Sequence, residues 1–305
     1  MLDVSSETLV RSIFYTLAYA DVFDYPLTAG EVCRYLTSTR ASAEEVTRVL
    51  ADDTLFTRVG DYFVLRGREH IVERRKHRTE IATGLWRKAV RYGRIIASLP
   101  FVRMVAVTGS LAMNNTEEGK DIDFMIVTAP DRLWTCRALS LLIARLARLE
   151  GIRLCPNYLV TTNALELEDR SLYVAHELAQ MIPLSGMAIY HEMRTANRWV
   201  DDYLPNAAGA PELLQGIKAI QTGTKIQRAL EYVFRLPFAN WFESWEMNRK
   251  VARLTREQSS SIESYFSADV CKGHIDRHGE NVVTALAVRL QIPPLPVREG
   301  RGEGI

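Results

Sequence analysis

The chain has 305 residues, of which 47% are hydrophobic and 25% charged, with a formal net charge of +1. This is ordinary globular composition, enough for two domains or for one large domain with an appendage. A charge so close to zero excludes a bulk electrostatic affinity for nucleic acid or membrane, so either partner would need a local patch. Four scattered cysteines (Cys33, Cys136, Cys155, Cys271) make no disulfide framework at this length and fit a reducing compartment. The first ten residues, MLDVSSETLV, lack the basic and apolar regions of a signal peptide. The most apolar helical stretch, Ala138–Leu149, is too short to span a bilayer and is interrupted by Arg145 and Arg148. A cytoplasmic protein with no membrane partner is expected.

In chain order, Thr8–Ala20 places Leu9, Ile13 and Leu17 at helical spacing, and Phe23-Asp24-Tyr25-Pro26 ends that helix. Thr28 with Glu31 predicts a capping box for a second helix over Ala29–Leu36, and Ser42 with Glu45 predicts one for a third. Two apolar-rich runs then flank Gly60-Asp61, a hairpin signal within Leu55–Gly67. Three short helices followed by a hairpin is the order of a winged helix, assigned to residues 1–67. Its third helix is acidic (Glu44, Glu45, Asp52, Asp53 against Arg48), unlike a helix that meets phosphates. The basic cluster Arg66, Arg68, Arg74, Arg75, Lys76 and Arg78 follows and reads first as a solvated helix face. Binding of nucleic acid through this unit is not favoured over a packing or dimerising role. A connecting helix is predicted over 68–99.

A strand over Met104–Thr108 ends in Gly109-Ser110, and a second strand covers Ile122–Val127. Pro130-Asp131 turns into a helix over Arg132–Leu149, Gly151 ends it, and a third strand falls within Arg153–Thr161. This is a compact α/β core with a mixed sheet, assigned to 100–170. From Tyr173 onward the pattern reads as helical, which assigns 171–292 to a C-terminal helical region and leaves 293–305 as a flexible tail. Trp86, Trp134, Trp199, Trp241 and Trp245 are expected to pack between helices, or to stack on a base.

The chemistry concentrates in VTGSLAMNNTEEGKDIDFMIV, Val107–Val127. Alternation along a strand places Asp121 and Asp123 on one side and Ile122, Phe124 and Ile126 on the other. Two like charges beside an apolar sheet are costly unless something compensates, and a divalent cation does so. Mg²⁺ takes oxygen ligands and keeps waters and substrate phosphates in its shell. Gly109 permits close backbone approach and Ser110 offers an N–H and a hydroxyl, together an anion-binding concavity.

Gly109-Ser110, a ten-residue gap and Asp121-Ile122-Asp123 resemble the signature of the polymerase-β-type nucleotidyltransferase superfamily. The motif covers about 20 residues, and the strand–helix–strand order extends the resemblance to roughly residues 100–165. It implies that Asp121 and Asp123 hold one or two Mg²⁺ ions (Mn²⁺ suits the same donors) and that Gly109, Ser110 and Lys120 contact an NTP. A nucleoside monophosphate would move onto an acceptor hydroxyl or phosphate, with pyrophosphate released. The acceptor stays open between a small molecule, a protein side chain and an RNA end. Two departures stand out. Leu111–Asn115 supplies no cation after the Gly-Ser, and Asn157 stands about where the family's third carboxylate is expected. An amide ligates metal but is a poor base, so Glu166, Glu168 and Glu177 are candidates for that role. The alternative is a catalytically weak or inactive nucleotide-binding regulator that docks DNA or protein through its N-terminal unit.

Cys271, His274 and His278 have metal-ligand spacing but lack a fourth ligand, and read first as a polar loop or a substrate contact. His176-Glu177 and His191-Glu192 lie on predicted helices and read first as structural.

Overall fold

The computed structural model describes residues 6–52, 55–211, 220, 223–233, 237–257, 265–272 and 278–291. The chain is a mixed α/β protein. It forms two compact units. One comprises the described residues of Met1–Arg75, Tyr203–Ala207 and Glu280–Ile305, the other those of Lys76–Asp202 and Ala208–Gly279. No described helix is long and apolar enough to cross a membrane.

In the first unit, helix α1 (Ser6–Asp21) buries Leu9, Ile13 and Leu17, as their spacing predicts. Strand β1 (Leu27–Thr28) leads into α2 (Ala29–Arg34). The predicted capping box starts it: Glu31 N donates to Thr28 Oγ1 at 3.3 Å, and Thr28 N to Glu31 Oε2 at 2.8 Å. Helix α3 (Ala43–Asp52) opens the same way, with Ser42 N donating to Glu45 Oε2 at 2.7 Å and Glu45 N to Ser42 Oγ at 3.2 Å. Strands β2 (Phe56–Val59) and β3 (Tyr62–Leu65) form the predicted hairpin over Gly60, whose φ of +62° suits glycine. Strand β1 pairs with the other side of β3, which gives an antiparallel sheet in the order β1-β3-β2. Two residues are too few for β1 to show in the sequence.

The basic stretch after the hairpin is internally paired. Arg68 reaches Asp21 at 2.6 Å and Asp24 at 2.5 Å, and Arg74 also meets Asp24. Arg289, from the last described helix, meets the second oxygen of Asp21 at 2.6 Å. Arg75, in the first turns of α4 (Ile71–Ala97), is buried. It donates to both oxygens of Glu31 at 2.7 and 2.8 Å. Its guanidinium also lies 4.1 Å from the Tyr25 ring centroid and 4.7 Å from that of Tyr62. Glu31 therefore caps α2 and neutralises Arg75 at once.

The second unit is built on a six-stranded sheet. Strand β4 (Val102–Thr108) runs into the single turn α5 (Gly109–Ala112). Strand β5 (Ile122–Thr128) follows, and α6 (Leu133–Leu149) makes the crossover to β6 (Leu154–Thr161). Then come α7 (Leu172–Gln180), β7 (Ile182–Ser185), α8 (Met187–Ala196), α9 (Val200–Tyr203), α10 (Lys225–Val233) and α11 (Pro237–Glu257). Strands β8 (Tyr265–Phe266) and β9 (Val270–Lys272) precede α12 (His278–Gln291). The strand order is β7-β4-β5-β6-β9-β8, with β5–β6 the parallel pair. Ile122, Phe124 and Ile126 enter one core with Trp86, Tyr92 and Ile96 of α4 and Trp134 of α6. Alternation leaves Asp123 on the opposite face of β5. The start of α6 is capped from afar, because Glu243 of α11 accepts the N–H groups of Trp134 and Thr135, each at 2.7 Å.

The structure corrects the purely helical reading of the C-terminal region, since β7, β8 and β9 all come from it. Strand β7 is buried at each of its four positions, so it has no alternation, and it carries Pro183, which an edge strand tolerates. Strands β8 and β9 are shorter still. The tryptophans also divide. Trp86 and Trp134 are core residues, whereas Trp241 and Trp245 are exposed and stack on one another with centroids 6.1 Å apart.

Removing one partner of a buried, hydrogen-bonded ion pair costs about 3 kcal/mol or more. The substitution Glu31→Ala is therefore expected to lower amide-exchange protection in α2 and β3 by about a hundredfold. Protection equal to that of the unaltered protein would show that Arg75 finds other compensation.

Candidate functional site

Strands β4 and β5 are antiparallel neighbours, and Thr108 faces Asp123 at the end of their shared ladder. The chain leaves β4 through Gly109, at φ +64°, into α5. A Cβ at position 109 would stand 2.7 Å from Asp123 Oδ2. Glycine is thus required twice, by the left-handed backbone and by the carboxylate packed against it. The loop that follows is pinned by α4. Trp86 Nε1 donates to Asn114 Oδ1 at 2.7 Å, and Arg78 donates to Asn115 Oδ1 at 3.1 Å and to Glu117 Oε1 at 2.5 Å. The loop ends at Gly119-Lys120, after which Ile122 N bonds Arg153 O at 2.8 Å and β5 begins.

Ser110, Glu118, Gly119, Lys120, Asp121, Asp123 and Arg153 line an open cavity of about 490 Å³. The structure thus brings together five of the six residues predicted for the site: Gly109, Ser110, Lys120, Asp121 and Asp123. It adds Arg153, which sequence spacing did not single out. Arg153 Nε lies 2.7 Å from Asp121 Oδ1. Among the described residues no donor is aimed at that oxygen, which is buried and accepts no hydrogen bond.

The sixth residue, Asn157, sits differently. In the parallel β5–β6 ladder Asp123 faces Cys155 and Phe124 faces Pro156, but Met125 faces Tyr158. The register steps over Asn157, the extra residue of a bulge. The side chain beside Asp123 is therefore the Cys155 thiol, which hydrogen-bonds the carboxylate. Burial, and then the charges of Asp123 and Asp121, push that thiol up to about 12.

Burial also pushes the Asp123 carboxyl up, to about 7, and the neighbouring Asp121 charge adds to the rise against the Cys155 hydrogen bond. Glu177 on α7 is raised to about 7 as well, by burial first and then by the Asp123 charge, with Lys272 of β9 opposing. Among the three alternative acids, Glu177 is the one coupled to Asp123. Glu166 is exposed and ion-paired with Arg170 at 2.6 Å, and Glu168 is exposed.

Among the described residues no group of three or more His, Cys, Asp or Glu side chains is close enough to hold a metal ion by itself. Mg²⁺ does not require one, since one or two carboxylates with waters and phosphates complete its shell. The undonated Asp121 Oδ1 and the crowded Asp123 carboxylate fit such an ion. Of the Cys-His-His set, Cys271 is buried in β9 within the core, His274 lies outside the described residues, and His278 opens α12. His176 is buried and pushed down to about 3, a neutral core histidine, and His191 is exposed.

Compared with family models, with curated proteins and with solved structures, the chain matches none.

Asp123 and Glu177 are both raised above their ordinary values. Without metal, the folded state therefore keeps protons that the unfolded chain loses between about pH 4 and 7. This contribution to stability is full below that window and is lost as pH rises through 7. Measured by urea unfolding in chelator, Asp123→Asn is expected to gain stability relative to the unaltered protein as pH rises from about 5 to about 8. A difference independent of pH would show that Asp123 titrates as an ordinary carboxylate.

Proposed function

We propose that the chain is a divalent-metal-dependent nucleotidyltransferase that moves a nucleoside monophosphate from an NTP to an acceptor hydroxyl or phosphate. The observation that carries this reading is the packing of Asp123 Oδ2 against the Cβ-less Gly109, with Asp121 beside it at the rim of a polar cavity. Phosphate donors and paired carboxylates then meet at the adjacent ends of two strands. Asp121 and Asp123 would hold one or two Mg²⁺ or Mn²⁺ ions, which when bound offset the charge on the triphosphate and on the departing pyrophosphate. The N–H and hydroxyl of Ser110, the Gly109 backbone and the Lys120 ammonium are the chain's own contacts for the phosphates.

For a hydroxyl acceptor, the attacking oxygen forms a bond to the α-phosphorus as the bond to pyrophosphate breaks. Its proton passes to a base. Glu177, which titrates near neutrality and is coupled to Asp123, takes that part in place of Asn157. We read the first unit, with its three helices, hairpin and added strand, as a winged helix. Its α3 exposes Glu44, Glu45 and Asp52 against Arg48, and Arg68, Arg74 and Arg75 are engaged internally. We assign that unit to protein docking rather than to DNA.

A second reading is favoured by the thiol of Cys155 where an acid would stand beside Asp123: a nucleotide-binding regulator with little or no transfer. One experiment separates them. The protein is incubated with Mg²⁺, cell extract and each labelled NTP in turn, and pyrophosphate and labelled products are measured. Transfer is expected, reduced by about a hundredfold or more in Asp121→Asn and Asp123→Asn. In Glu177→Gln the rate falls and the pH dependence near 7 flattens. Nucleotide binding without release of pyrophosphate supports the regulator, and release that survives both aspartate substitutions overturns the site.

A further inference from the structure

The cavity contains one ion pair that the proposed reaction leaves unused. Arg153 precedes β6, and its carbonyl accepts Ile122 N at 2.8 Å, so its backbone is fixed at the cavity rim. Its side chain is 54% exposed, and the Nε lies 2.7 Å from Asp121 Oδ1 without the alignment of a hydrogen bond. So exposed a pair is held weakly, and little is lost when it opens.

Two facts give it a role. The segment after Gly109-Ser110, Leu111–Asn115, contains no cation, so the cavity's positive charge comes from Lys120 and Arg153 alone among its lining residues. Moreover, the atom Arg153 approaches is a carboxylate oxygen without a hydrogen-bond donor, the kind of ligand a divalent cation takes. A doubly charged ion takes that oxygen in preference to a single, mobile guanidinium charge. A guanidinium is also a planar fork of donors that matches phosphate oxygens.

Building on the nucleotidyl-transfer reading, we infer that Arg153 exchanges partners. It neutralises Asp121 in the metal-free protein and, when a divalent cation claims that carboxylate, turns to the triphosphate. Arg153 is thus both a placeholder for the metal and the phosphate-binding cation missing after Gly109-Ser110. The backbone bond to Ile122 keeps its Cα still, and only the side chain moves. Metal therefore binds before phosphate is gripped firmly.

The exchange predicts opposite signs for two affinities, which loss of fold or of general shape would not produce. The probes are Mn²⁺ alone and inorganic triphosphate at saturating Mg²⁺, each titrated calorimetrically into the full chain. In Arg153→Gln, Mn²⁺ alone is expected to bind about threefold more tightly, because its competitor on Asp121 is gone. Triphosphate is expected to bind about tenfold more weakly. Arg153→Lys keeps the charge without the fork, so its Mn²⁺ affinity stays near that of the unaltered protein and its triphosphate affinity falls between the other two. Both affinities moving in the same direction, or neither moving, overturns the exchange while the nucleotidyl-transfer reading stands. Failure of the unaltered protein to bind either probe overturns both.

Discussion

Two carboxylates on one side of a strand, two residues apart at the rim of an apolar sheet, set the terms for everything around them. The burial of Asp123, and then the repulsion of Asp121, raise its carboxyl to about 7. The neighbours respond in kind. Gly109, with no Cβ, leaves room for Asp123 Oδ2, Cys155 offers a thiol hydrogen bond, and Arg153 comes within 2.7 Å of Asp121. None of the three discharges the pair fully. Under the proposed function, a divalent cation at the polar cavity would offset the charge of the pair.

The rest of the second unit holds that arrangement still. Helix α4 packs Trp86, Tyr92 and Ile96 against the apolar face of β5, which fixes the opposite face by alternation. The same helix reaches over to the loop between β4 and β5, where Trp86 and Arg78 take three hydrogen bonds to Asn114, Asn115 and Glu117. A loop tied at three points brings Gly119-Lys120 back to the cavity without a secondary structure of its own. Under the proposed function, Arg78 and Trp86 serve catalysis at a distance, by fixing a backbone rather than by touching a substrate.

Much of this was legible in the sequence because it depends on short-range rules. Capping boxes at Thr28 and Ser42, the turn at Gly60, and alternation across Asp121–Val127 are decided by residues within a few positions of one another. What escaped depends on partners far along the chain. Strand β7 has no alternation because both its faces are covered, so its period carries no signal. Glu243 caps α6 from 108 residues away, and no local pattern announces that. The basic run from Arg66 to Arg78 reads as a surface charge block, yet Arg75 lies between two tyrosine rings and bonds Glu31. A one-dimensional count of cations cannot tell a solvated face from a buried pair.

Asn157 shows the same limit in its sharpest form. The family resemblance places it where a third acid would stand near Asp123. In the β5–β6 ladder Cys155 is the residue paired with Asp123, and the bulge that follows leaves Asn157 out of the pairing. The consequence is electrostatic. A third fixed acid beside Asp123 would give the cluster a charge that one divalent cation cannot balance. A neutral thiol leaves two carboxylates, whose combined charge one such ion matches. Glu177, raised to about 7 and placed on a helix rather than on the sheet, then stands as an acid whose charge is conditional. Positive charge placed near Asp123 would lower that value by removing part of the repulsion that helps to raise it. Under the proposed function, a base of this kind would become available when the cation is in place.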